Sequence, residues 1–530
     1  MRNVKTLMFS ACMAASMAFS SGPVLADGEY CSLLNPAPQS PAAAAWKGLL
    51  DQKITNPDDI VSKLLDPVAP VTPDQLQAMY SQVYEFVITN YIDERKLDKL
   101  AGYEHKYDGK LQTRVDLNNA LADLISQMDD RWTWHVSASQ QVQQVLNVIS
   151  KQAPLGVGLR KNADGTFWIE HIDYGSTAQL SGLREGDTIL AVNDKELKGM
   201  SKADAEKLFI GPLGNSLKVK SIQDGKTVEA SYMLRAPLPN DAGAKLLKNN
   251  IAYLKLPNFM NEQDFGKIVM SMVGMAEGTP GGLQGIVLDL RYNGGGEVDK
   301  AKLLISFLLS QGAVISESSR DGRTWTKTDM SILPLGPYSK LKFTASQLAV
   351  LKDLQSLPLV VLVNGSSASA AEIVTGALKE SRPNTIVLGE RSFGKFQEML
   401  MTTLPDCSKV AVTSARYTTP TGKWLQDVGI EPDMVVHQPR DSQDDAQMNA
   451  AMELLDKKTA FNPANIVRMP PESQPNLGPA PERPAAQAVD TDWVQVAREN
   501  RTLLAQIGVG ILLAGIFGFY LLLSRKKKSD

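Results

Sequence analysis

A serine hydroxyl and a lysine amine, each at the end of an apolar run, are the groups in this 530-residue chain best placed to do chemistry. Leu359-Val360-Val361-Leu362-Val363 suits a buried strand and ends at Asn364-Gly365, and from Ala370 through Glu372, Ile373, Ala377 and Leu378 the spacing is helical. Ser369 therefore sits at a strand-to-helix junction, where helix N–H groups and the positive dipole end favour a developing oxyanion. A serine there can equally serve as an N-cap and nothing more. To act as a nucleophile it needs a base. The chain has four histidines, His105, His135, His171 and His437, and none lies between residues 172 and 436. A Ser-His-Asp triad would need His437 or another domain to supply the imidazole. A lysine can serve instead if burial pulls its pKa down from about 10.4. Lys395 is the candidate: it follows a second apolar run, Thr385 to Leu388, and a turn from Gly389 to Gly394. Its separation from Ser369, 26 positions, leaves room for one helix and one strand to bring it back beside the serine. Gly389 to Lys395 also has the spacing of a phosphate-binding loop, but Phe396 stands where a Mg²⁺-holding Ser or Thr belongs, so the match is read as chance. A third run, Ile286 to Leu290, leads into Arg291-Tyr292-Asn293-Gly294-Gly295-Gly296. Glycines at a strand end expose backbone N–H groups that can hold negative charge, though a plain glycine turn reads the same way.

These residues need elements to position them. From Thr72 to about Ser150, Leu76, Met79, Tyr80, Val83, Tyr84 and Val87 recur at three- and four-residue steps, which predicts helices. Between Leu155 and Leu234 short β segments alternate with Gly, Asn and Asp turns. An α/β pattern runs from Ile251 to about Val436. Leu155-Gly156-Val157-Gly158-Leu159 has two glycines at a strand start, so successive N–H groups can form a nest for a C-terminal carboxylate while the strand pairs with a peptide. Gly175-Ser176-Thr177-Ala178 and Gly182 through Asn193 follow, and the ordered set resembles a PDZ domain. Its plainer reading is a small β domain that packs on its neighbour.

Both ends predict targeting. Arg2 and Lys5, an apolar stretch from Thr6 to Phe19 and Val24-Leu25-Ala26 read as a signal peptide over 1–26. Leu503 to Leu523 is long and apolar enough to span a bilayer, and Arg525 to Lys528 follow, which keeps the tail at 524–530 cytoplasmic and the rest outside. A Pro-rich linker is expected over 463–490. Lys+Arg 55 against Asp+Glu 58, a formal charge of −3 with no basic block in the body of the chain, argues against a nucleic-acid partner. Cys31 and Cys407 survive signal removal, either as a bridge or as two buried thiols.

Asp289 to Gly296, Asn364 to Glu372, Ser392-Phe393-Gly394-Lys395, and Ala415 to Gly422 through Gly429-Ile430-Glu431-Pro432-Asp433 occur in an order that resembles the C-terminal processing peptidases, the tail-specific proteases of family S41. With the helical and PDZ-like segments the similarity covers about residues 72 to 440. It implies a crotonase- or ClpP-like peptidase core over 245–440, which with the segments read above gives a multidomain α/β chain: a helical region over 27–150, a PDZ domain over 151–236, that core, and the C-terminal membrane helix. It also implies a Ser/Lys dyad of Ser369 and Lys395, with the N–H groups of Gly295 and Ala370 as oxyanion hole and Glu372 in support. No cofactor or metal is implied. The family's glycine after the lysine and glutamine four positions beyond it are replaced by Phe396 and Met399, so Gln397 is the candidate to orient Lys395. The expected activity is cleavage of exported or membrane proteins near their C-termini, on the extracytoplasmic side; the alternative is an inactive PDZ scaffold at the membrane. Whether an adaptor or a homo-oligomer takes part stays open.

Overall fold

Helix α1 (Pro57–Leu65) starts on the side chain of Asn56, which accepts hydrogen bonds from the N–H groups of Asp58 and Asp59. Capping boxes start the next two: Thr72 with Gln75 on α2 (Pro73–Asn90), and Thr113 with Asp116 on α3 (Arg114–Ser126). The predicted stripe on α2 is buried at Leu76, Met79, Tyr80, Val83 and Val87, where it packs against Leu117, Leu121 and Leu124 of α3. Strand β1 (Trp134–Val136) and helix α4 (Ala138–Ile149) complete this N-terminal region. The computed structural model describes residues 30–34, 41–149, 152–238, 240–321, 324–331, 343–438 and 444–456. Among these no helix is long and apolar enough to cross a membrane. The expected signal peptide at 1–26, linker at 463–490, span at 503–523 and tail at 524–530 lie outside them.

The central β module is a sheet in the order β2 (Val157–Lys161), β3 (Phe167–Ile172), β4 (Thr188–Val192), β5 (Ser216–Gln223), β6 (Lys226–Met233), with Lys195–Glu196 beside β4. β2 is an edge strand, and helix α5 (Lys202–Lys207) packs beside it.

The α/β domain is built on a second sheet, β7 (Gly243–Leu247), β8 (Ile251–Lys255), β9 (Gly285–Asp289), β12 (Leu359–Val363), β13 (Thr385–Gly389) and β16 (Met434–Val435), named in spatial order. Every pair after β7–β8 is parallel. β9, β12 and β13 are fully buried, as their unbroken apolar runs require, between α6 (Glu262–Gly278), α7 (Val298–Leu308), α8 (Ala345–Leu354) and α9 (Ala370–Ser381) on one side and α10 (Ala446–Asp456) on the other. A third, antiparallel sheet contains β10 (Ala313–Asp321), β11 (Thr324–Ser331), β14 (Gln397–Thr403) and β15 (Lys409–Thr418). The N-terminal region joins this sheet, because β1 pairs with β15 and places Trp134 opposite Ala411. Its core likewise closes over Leu404, Val410 and Val412. Cys31 and Cys407, left open between a bridge and two thiols, form a disulfide with Cα atoms 5.4 Å apart, which ties the first described turn to the β14–β15 connection.

Candidate active site

Ser369 ends the segment that leaves β12 and begins α9, with φ 57° and ψ −117°. An ordinary N-cap in this chain has extended backbone, as at Thr72 and Thr113. A non-glycine residue outside the common regions stores about 1–3 kcal/mol and persists only where its surroundings enforce it. They do so here. Ser367 Oγ donates to Leu290 O at 2.8 Å, the Ala368 N–H to Asn293 O at 2.9 Å, and the Phe393 N–H to Ser367 O at 3.0 Å. The geometry is that of a sharp strand-to-helix turn that pushes a hydroxyl outward at the head of a helix.

Glu372 is what joins Ser369 to Lys395. Its carboxylate is 1% exposed and accepts four hydrogen bonds. Oε1 takes Ser392 Oγ at 2.6 Å and the Gly394 N–H at 2.7 Å; Oε2 takes the Ser369 N–H at 2.9 Å and the Lys395 N–H at 2.7 Å. One oxygen thus holds the backbones of both residues, however far apart they lie in sequence. Burial raises the Glu372 carboxyl above its ordinary value, against the pull of those four donors. The role expected for it was support, and a four-donor clamp is a larger one.

The Lys395 amine is partly buried and its pKa is lowered to about 8, first by burial and then by the charge of Arg131, with Glu372 opposing. Nζ lies 4.5 Å from the centroid of the Trp132 ring and 4.0 Å from Met399 Sδ. It makes no hydrogen bond to Ser369 Oγ, and the expected orienting residue, Gln397, does not reach it. Gln397 is paired along β14 with Arg416 instead. The β14 ladder shifts register between Glu398 and Met399, and it is the Met399 side chain that arrives at the amine. That corrects the assignment of Gln397. Trp132, just ahead of β1, is a site residue that the sequence did not single out.

The glycines after β9 meet the serine at close range. A Cβ on Gly295, whose φ is 99°, would lie 2.7 Å from Ser369 Cβ and 3.0 Å from the Ala370 nitrogen, so only glycine fits. The two expected oxyanion donors are therefore neighbours. The Ala370 N–H is in the first turn of α9, where no intrahelical carbonyl serves it. The Gly295 N–H donates to Asn293 Oδ1 at 2.9 Å, so it must be released or shared to serve as a second donor.

The stretch Leu155 to Leu159 divides. Leu155 and Leu159 are fully buried in the module's core, and the Leu155 N–H donates to Phe209 O at 2.8 Å, so it is not free for a ligand. That corrects the predicted nest at its first residue. Val157 and Gly158 open the edge strand β2, beside α5. The His171 ring lies against Gly158, where a Cβ would fall 1.9 Å from Cε1, and stacks edge-on to Phe393 at 6.5 Å.

The β module also touches the serine turn directly. Ser366 Oγ donates to Glu185 Oε1 at 2.6 Å, and the Ile172 N–H reaches the same oxygen at 3.3 Å. Tyr174 stacks edge-on to Tyr292, with ring centroids 5.5 Å apart.

Comparison with known proteins agrees with this arrangement. Residues 250–436 match the model of peptidase family S41, and 144–221 match that of the PDZ domain. The chain is 31% identical over 266 residues to a carboxy-terminal-processing protease of Bartonella bacilliformis, an alignment spanning 49% of this chain and 56% of that relative. It is 27% identical over 360 residues to a carboxyl-terminal-processing protease of Synechocystis, covering 65% of this chain and 78% of the relative. The solved photosystem II D1 C-terminal processing protease shares the fold at a TM-score of 0.53 and 23% identity, covering 73% of this chain and 98% of that one. These matches make residues 250–436 similar to the peptidases of family S41 and residues 144–221, ahead of them, similar to a PDZ domain, in a chain that spans 56% of the length of its Bartonella relative.

Proposed function

We propose that the chain is a serine endopeptidase working through a Ser/Lys dyad, with Ser369 as nucleophile and Lys395 as general base. The observation that carries this is the Glu372 clamp, which ties the two backbones to one oxygen while the Lys395 amine is held in a site that lowers its pKa to about 8. At pH 7 about a tenth of such amines are neutral, against well under a thousandth at the ordinary lysine value. Ser369 Oγ attacks the scissile carbonyl as Lys395 Nζ takes its proton, and the ammonium then returns that proton to the leaving amine. The Ala370 N–H stands ready for the oxyanion, and the Gly295 N–H joins it on exchanging its bond to Asn293 Oδ1. A rotation of the Lys395 side chain from Met399 toward Ser369 completes the dyad.

The substrates are polypeptides with exposed C-termini, presented by strand pairing along β2 beside α5. The relatives' printed names, carboxyl-terminal-processing proteases, support this class. The Glu185–Ser366 contact supports a docked tail acting on the serine turn. Export is supported by the signal-like first 26 residues and the Cys31–Cys407 disulfide, anchoring by the apolar stretch at 503–523, and an extracytoplasmic peptidase by the basic residues Arg525 to Lys528 that follow that stretch.

One observation favours a second reading, an inactive PDZ scaffold: Lys395 Nζ rests on a thioether and an indole, with no bond to the serine. Cleavage of an unstructured peptide by wild type, Ser369→Ala and Lys395→Ala decides between them. The dyad predicts a loss of at least about a thousandfold in each variant. Equal turnover by all three would remove it.

A further inference from the structure

Lys395 Nζ lies against Trp132 from the N-terminal region and Met399 from β14, while the Glu372 clamp on α9 holds the Lys395 backbone N–H and acts on the amine through its charge. The indole face by itself attracts a cation and so favours the ammonium form. A second cation shares that ring. The Arg131 guanidinium carbon lies 4.2 Å from the Trp132 centroid and 5.0 Å from that of Phe393, and its side chain is 27% exposed. It is held there by a salt bridge to Glu170 on β3, which Arg160 on β2 also reaches at 3.3 Å, while Asp427 approaches Arg131 Nη2 at 3.9 Å. Asp130 adds a further negative charge near Arg131, and Glu372 is the anionic group facing Lys395, its oxygens already occupied by four donors.

We propose that Arg131 is a positioning residue for the reaction: braced over Trp132 by Glu170, its permanent charge competes for the indole face and disfavours the ammonium form of Lys395. The inference rests on the reading of Lys395 as general base. A guanidinium stays charged across the working pH range, so its repulsion does not titrate away. Two cations less than about 10 Å apart at a partly buried site shift each other's proton affinity by roughly one pH unit. Glu170 has two opposed effects, since it holds Arg131 in place and also offsets its charge.

The test is the pH dependence of kcat/KM for cleavage of an unstructured peptide by the full chain. Arg131→Met should move the midpoint of the rising limb upward by roughly one pH unit, with a loss of up to about tenfold at pH 7 that recovers at high pH. Arg131→Lys, which keeps the charge, should stay near wild type. An unmoved midpoint in Arg131→Met, whether activity is unchanged or lost equally at every pH, overturns the proposal. Lys395→Ala measured alongside separates the two claims: if it is inactive while the Arg131 variants leave the midpoint in place, only the role of Arg131 falls. If Lys395→Ala retains turnover, the base assignment falls and this inference with it.

Discussion

At the scale of single residues, the site depends on close approach that tolerates no added atom. Gly295 sits at φ 99° with Ser369 Cβ 2.7 Å from where its own Cβ would be, whereas a Cβ on Gly294 meets nothing within 4 Å. Gly295→Ala is therefore expected to lower kcat by about a hundredfold, the usual cost of a lost oxyanion donor, while Gly294→Ala stays near wild type. Equal kcat in the two variants, measured on the same peptide, would contradict a close-approach role for Gly295. Ser369 and Lys395 stood out as candidates in the sequence because each follows an apolar run suited to a buried strand, and because no histidine lies between residues 172 and 436 to compete. The lysine's surroundings were not. Gln397 looked like its partner by spacing, but alternation along β14 and the register shift at Glu398–Met399 bring Met399 to the amine instead. Trp132 and Arg131 gave no signal, since only the tertiary pairing of β1 with β15 carries them to a lysine in another domain.

At the scale of elements, the PDZ domain meets the serine turn at Ser366, which contacts the buried Glu185 carboxyl and the Ile172 carbonyl. Burial pushes Glu185 up from 4.5 to about 7, and Ser366, three residues before Ser369, donates to it. Its carboxyl binds a proton more tightly folded than unfolded. The stability this contributes is thus complete below about 4.5 and lost as the pH rises through about 7. Thermal unfolding should show wild type losing stability between those limits relative to Glu185→Gln, whose amide does not titrate. Parallel curves for the two proteins would show that this carboxyl does not carry that loss. The PDZ domain itself was readable from its turn glycines and the GLREGD segment, and the helices from their apolar stripes. The peptide nest was over-read at Leu155, because a glycine-flanked strand start looks the same whether its leucines face a ligand or the domain's own core. A three-residue strand such as Trp134–Val136 is too short to show a period of its own, so the way the N-terminal region joins the peptidase sheet had no sequence signature.

At the scale of the whole molecule, three parts of the chain meet at one amine. The N-terminal region supplies the indole and the guanidinium, the PDZ domain supplies the carboxylate that braces them, and the peptidase domain supplies the lysine and the serine. The disulfide between Cys31 and Cys407 and the β1–β15 pairing hold the first of these against the third. This division explains what composition and spacing could say: they marked the catalytic candidates and the domain order, while the environment that tunes the base is assembled from segments far apart in sequence. The whole account stands on that environment lowering the proton affinity of the amine enough for about a tenth of it to be neutral at pH 7. The direct measurement is the titration of Lys395 by NMR in the Ser369→Ala protein labelled with ¹³C at lysine Cε, the resonance assigned by its disappearance in Lys395→Arg. A midpoint at about 8 is the predicted result, and a midpoint at the ordinary lysine value of 10.5 would contradict it.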